Sequence, residues 1–129
     1  VVADEGGNVV IEQTNMALLP RRDPTAHAET LAAGLAGRCY EASRLKLFTL
    51  YSSAEPCAMC AGAVYWAGIG RVVYGLSEHD LLVLTGANRD NPTMDLPCRA
   101  VLSSGQREIE VIGPELCEEA REVIAGYWS

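Results

Sequence analysis

Apolar and polar positions change their period several times along this chain, and the changes mark its elements. Residues 1–3 and 9–12 are short valine-rich runs separated by Asp4, Glu5, Gly6, Gly7 and Asn8, which reads as strand, turn, strand. Residues 26–39 carry Leu31, Ala32, Leu35 and Ala36 at helical spacing after Pro24, with Thr25 as the expected cap. From 45 to 51, Leu45, Leu47 and Thr49 alternate with Lys46, Phe48 and Leu50. Both faces of that stretch are apolar by its end, so it is expected to be a strand inside a sheet covered on both sides. Pro56 opens a second helix that should run to Ala67 and stop at Gly68. Arg71, Val72, Val73 and Tyr74 form the next strand, and strand, helix, strand at that spacing predicts a right-handed parallel crossover.

The pattern then weakens. Residues 75–93 hold one apolar run, Leu81 to Leu84, followed by a polar loop, and a short helix is expected from Asp95 to about Leu102. Residues 107–112 read as a strand, and a last helix shows Leu116, Ala120, Val123, Ile124 and Tyr127 on one face. The connection over residues 16–23 carries Pro20, Arg21 and Arg22. The sum predicts one α/β domain over residues 1–129, a three-layer α/β/α fold with a mixed sheet of about five strands. A chain that opens in the middle of a strand also leads us to expect residues upstream of Val1.

Charge and cysteine usage narrow the function. Lys and Arg number 10 against 17 Asp and Glu, a formal charge of -7 that repels a phosphate backbone and favours a small substrate over a polynucleotide. No apolar run spans a membrane and no leader is visible at Val1, so a cytoplasmic protein is expected. The five cysteines are odd in number, and the pair Cys57 and Cys60 fits a metal site in a reducing compartment better than a disulfide framework. Cys39, Cys98 and Cys117 read as small buried hydrophobes.

Two thiols three residues apart lie on one helical face, and His27, delivered from an earlier element, completes a three-ligand zinc site with an open fourth position. Water there is acidified by the ion, and Glu29 is placed to move its protons. A thioredoxin-like redox pair or a structural zinc closed by Cys98 or Cys39 would leave His27 or Glu29 idle.

His27-Ala28-Glu29 followed by Pro56-Cys57-Ala58-Met59-Cys60 resembles the H-x-E and P-C-x-x-C signature of the cytidine deaminase-like superfamily, to which the zinc nucleobase deaminases belong. The longer stretches around both motifs, with Tyr65-Trp66-Ala67, are similar to the branch of guanine, cytosine and tRNA adenosine deaminases, and to bacterial guanine deaminases in particular. The resemblance implies that His27, Cys57 and Cys60 bind Zn2+, that Glu29 shuttles protons and that the Cys57 main-chain N–H contacts the attacking oxygen. It implies Asn15 and Ala28 as substrate contacts and a missing N-terminal helix. Trp66 is expected to line a flat purine slot, and Asp95 or Glu78 to read the substrate's amino edge. A homodimer acting on a small nucleobase follows, with guanine the first candidate; cytosine or an aminotriazine, and adenosine in a tRNA, are the alternatives.

Overall fold

A computed structural model describes residues 1–17, 22–86 and 88–128, the side chains of 126–128 excepted. Pro20 and Arg21 of the expected connection, and the Tyr127 side chain, lie outside the described residues. A hairpin opens the chain, β1 (Val2–Ala3) and β2 (Val9–Ile11), its turn held by Asp4 Oδ1, which accepts the backbone N–H groups of Gly6 and Asn8. Then come α1 (Ala28–Cys39), a short α2 (Ala42–Leu45), β3 (Thr49–Ala54), α3 (Ala58–Ala67) and β4 (Arg71–Leu76). The second half adds α4 (Glu78–Thr85), α5 (Cys98–Ser103), β5 (Glu110–Ile112) and α6 (Cys117–Trp128).

The five strands form one sheet in the order β2-β1-β3-β4-β5. β1 pairs antiparallel with both β2 and β3, whereas β3, β4 and β5 run parallel, so the sheet is mixed as expected. Alternation along β4 buries Val72, Tyr74 and Leu76, the first two in the main core with Phe48, Leu50, Ala33, Ala36, Val64 and Leu102. Gly75 points the other way, and α6 packs on it so closely that a Cβ there would lie 2.8 Å from the Ala120 Cβ. Helices thus cover both faces, and a side chain at Gly75 would push α6 off the sheet.

Several expectations are corrected, among them Cys39, expected to be buried and in fact exposed, and Cys117, which is half-buried. The strand expected over residues 45–51 is displaced: Leu45 ends α2, and the strand runs Thr49–Ala54. Leu45 and Phe48 are buried, yet they reach the core from a helical turn and its exit while Leu47 stays 55% exposed. The weak stretch after Gly75 contains a helix, α4, whose start is set by Ser77 Oγ accepting the N–H of Asp80 at 3.0 Å. Thr25 caps nothing; its N–H and hydroxyl both donate to Asp23 Oδ1, and His27 is the residue that enters α1. Gly68 does end α3, in the left-handed conformation at φ 101.

Candidate metal centre and active site

His27 and Cys57 occupy equivalent places in two helices. Each is the residue at which extended backbone turns into helix, α1 and α3 respectively, and neither side chain is spent on capping. α1 and α3 pack side by side through small residues, so their N-termini deliver both groups to one point. Cys60, one turn into α3, is fully buried at the same point.

The three ligand atoms form a near-equilateral triangle. Cys57 Sγ is 3.6 Å from Cys60 Sγ, and His27 Nδ1 is 3.7 Å from the first sulfur and 3.5 Å from the second. Tetrahedral bonds of about 2.3 Å to sulfur and about 2.0 Å to nitrogen place ligand atoms roughly 3.5 to 3.8 Å apart, so the site has the dimensions of three corners of a zinc tetrahedron.

The proton balance points the same way. A hydrogen bond with Cys60, then one with His27, holds the Cys57 thiol down to about 4. Its partner Cys60 is pushed up, by that same hydrogen bond and by burial. The bond to Cys57 raises His27 in spite of burial. Protons shared among these three groups are what a cation displaces on binding. Thr30 Oγ1, 3.2 Å from Cys60 Sγ, donates to that sulfur and helps it carry charge.

Glu29, in the first turn of α1, sits beside the triad. Its Oε1 accepts the Ser52 hydroxyl at 2.7 Å from β3, and its Oε2 lies 3.8 Å from Cys60 Sγ. Ser52 therefore fixes the carboxylate's rotation with a short, charge-assisted bond. Ser52→Ala is expected to lower kcat about tenfold with KM and zinc content nearly unchanged, the share lost when a proton carrier is left free to turn. Steady-state kinetics with metal analysis checks this.

A cavity of about 830 Å³ opens over these groups, within the range of small-molecule sites. Asn15, Ala28, Glu29, His27 and Cys57 all line it. Asn15 Oδ1 accepts the Ala17 N–H at 2.8 Å, leaving its Nδ2 donor without a hydrogen bond among the described residues. The Cys57 backbone N–H likewise has no acceptor among the described residues.

Two expected substrate contacts lie elsewhere. Trp66 is 85% exposed, set edge-on to Tyr65, and does not line the cavity. It follows Cys60 by six residues, about 240° around the helix and about 9 Å further along it, so the helix that aims Cys60 inward aims Trp66 out. Asp95 also lies off the cavity wall and pairs with His79 at 3.2 Å on the surface. Glu78, the other acid weighed for that role, is 4% exposed and does line the cavity.

Burial first, then the negative charges of Cys57, Glu55 and Glu29, push the Glu78 carboxyl up to about 8 from an ordinary 4.5. Folding therefore takes up a proton at Glu78 between those two values, and the group costs stability increasingly as pH rises through that window. In metal-free protein, Glu78→Gln is expected to gain stability over the wild type as pH goes from 5 to 8. Urea melts of both across that range check it, and a constant difference would contradict it.

Sequence reasoning passed over Ser52, Thr30 and the wall from Asp90 to Met94. The strand register reveals Ser52, helix-to-helix packing reveals Thr30, and the loop between α4 and α5 brings Asp90 to Met94 to the cavity; none of these is a property of local pattern.

Residues 1–76 match the cytidine and deoxycytidylate deaminase zinc-binding region. A probable cytosine deaminase of Schizosaccharomyces pombe is 39% identical over 99% of this chain and 76% of its own length. A tRNA-specific adenosine deaminase of Haemophilus influenzae is 39% identical over 61% of this chain, and the chain spans 45% of it. Among solved structures, a guanine deaminase from Nitrosomonas europaea superposes with a TM-score of 0.73 at 28% identity, over 98% of this chain and 69% of that one. With the metal-ligand triangle, the adjoining glutamate and this match over more than half its length, the chain belongs to the cytidine and deoxycytidylate deaminase zinc-binding family, and its centre is that of a hydrolytic nucleobase deaminase.

Proposed function

We propose that this chain deaminates a free purine base, guanine first, giving xanthine and ammonia from guanine and water. The observation that carries this reading is the cavity wall: it holds Glu29, Glu55, Glu78 and Asp90 and, among the described residues, no Lys or Arg. Among those side chains a phosphate or a polynucleotide finds no Lys or Arg as counter-charge, whereas a neutral ring with N–H groups finds acceptors. The net charge of -7 acts in the same direction.

Zinc held by His27, Cys57 and Cys60 would supply the Lewis acidity that makes water a nucleophile at neutral pH. Glu29 takes one proton from that water and passes it to the ring nitrogen beside the carbon under attack. It then takes the second from the hydroxyl now on that carbon and gives it to the amine, which leaves as ammonia while the carbonyl forms. One carboxylate serves because the transfers are sequential. The Cys57 N–H donates to the oxygen as charge develops on it. Asn15 Nδ2 donates to a ring acceptor, the Ala28 backbone faces the base, and the Glu78 carboxyl meets the amino edge that distinguishes guanine.

The cytosine reading is the second one, supported by the relative of that name along nearly the whole chain. Ammonia release by zinc-loaded full-length protein from guanine, adenine, cytosine, their nucleosides and a tRNA anticodon stem-loop separates the readings. Guanine turnover supports the proposal; release from cytosine alone, or from the stem-loop alone, overturns it. A cytoplasmic homodimer belongs to the same reading, with the exposed Trp66 face of α3 as its candidate contact, and sedimentation of the full chain tests the dimer.

A further inference from the structure

Glu55 lines the cavity but moves no proton in the steps above, and it is 4% exposed and directly precedes Pro56 and Cys57. Its Oε1 accepts the backbone N–H of Glu78 at 2.9 Å, and its Oε2 accepts that of Cys98 at 2.6 Å. Those donors are the first residues of α4 and α5, whose N–H groups have no acceptor within their own helices. The Glu55 N–H in turn donates to Leu76 O at 2.7 Å, at the end of β4.

One carboxylate therefore joins the segment that presents Cys57, the helix that presents Glu78 and the start of α5. α4 does not need this bond in order to form, because Ser77 already caps it at Asp80. What the bond adds is a location: the first residue of α4 is held against the residue two before Cys57. The location comes at the expense of packing a second carboxyl beside Glu78, where a neutral cap for α5 would serve folding alone.

We propose that Glu55 is a positioning residue for substrate recognition, fixing the Glu78 carboxyl relative to Cys57 so that the base-reading wall and the metal site stay in register. The proposal rests on the reading of Glu78 as the group that meets the base. Its reach is set by bidentate geometry: glutamine keeps the size of Glu55 but turns an NH2 toward one of the two N–H donors, releasing that helix start.

The test is Glu55→Gln, Glu78→Gln and the double variant in zinc-loaded full-length protein, with KM and kcat for the base turned over, zinc content, and hydrogen exchange at the Glu78 and Cys98 amides. Glu55→Gln is expected to speed exchange at one or both amides and to raise KM about tenfold, with zinc content unchanged and kcat moved less than about threefold. In the Glu78→Gln background the same change is expected to alter KM less than about twofold. KM effects that multiply in the double variant, or unchanged exchange at both amides, overturn the proposal while leaving the Glu78 reading intact. A KM that Glu78→Gln does not change overturns the Glu78 reading and this proposal with it.

Discussion

Glu29→Gln is expected to bind zinc as the wild type does and to lose about three orders of magnitude in kcat, the scale of a positioned acid and base. The substitution keeps the side chain's size and leaves an oxygen for the Ser52 hydroxyl, so the local structure has little reason to change. It removes the ability to take up and return a proton, on which every transfer in the proposed cycle depends. The metal triangle is closed without Glu29, whose Oε2 lies 3.8 Å from Cys60 Sγ. Metal analysis beside ammonia release therefore tells a proton carrier from a ligand. Equal loss of zinc and activity would show that Glu29 belongs to the coordination shell.

Cys57→Ala is expected to do the opposite, abolishing stoichiometric zinc and with it detectable turnover. Two corners of the triangle remain, and a histidine with one buried thiol does not hold the ion against competing water and buffer. Stability follows by linkage: an ion present at a thousandfold excess over its dissociation constant contributes about 4 kcal/mol, so the variant should melt on the order of 10 °C below the zinc-loaded wild type. Chelator treatment of the wild type should reproduce most of that fall. A variant that keeps both its zinc and its melting temperature would remove Cys57 from the ligand set.

The chemistry of the centre was legible in the sequence because it is carried by residue types at short spacings that few other uses would assemble. His27 with Glu29, and Cys57 with Cys60, fall into place once two helices are recognised, and both helices announce themselves through Pro24, Pro56 and Gly68. Outward from the ligands legibility declines. Trp66 is in the right helix, but which way it points depends on a helical phase that counting from Cys60 would have supplied. Glu78 lay in the weakly patterned stretch and Asp95 at the start of an expected short helix; only the cap at Ser77 and the burial of Glu78 separate them. The displaced third strand has another cause. A short apolar run such as Leu45 to Phe48 satisfies a helical turn and a strand equally well, and what decides between them is whether neighbouring backbone is there to pair with it.

The packing of α1 against α3 has a consequence for which ion the protein accepts. The Cys57–Cys60 separation is internal to one helix, whereas both distances to His27 cross from α3 to α1. The gap between those helices is set where they touch, since side-chain size at the contact governs how near two helix axes come. They touch at Thr30 against Cys60 and at Gly37, where an added Cβ would lie 3.9 Å from Ala67, with buried Ala33 on the same stripe of α1. A larger residue at Ala33, about 9 Å along the axis from His27, would lengthen the crossing distances alone and shift preference from zinc toward a cation of greater radius. Discrimination by ionic size would thus rest on small residues of α1 that never touch the ion.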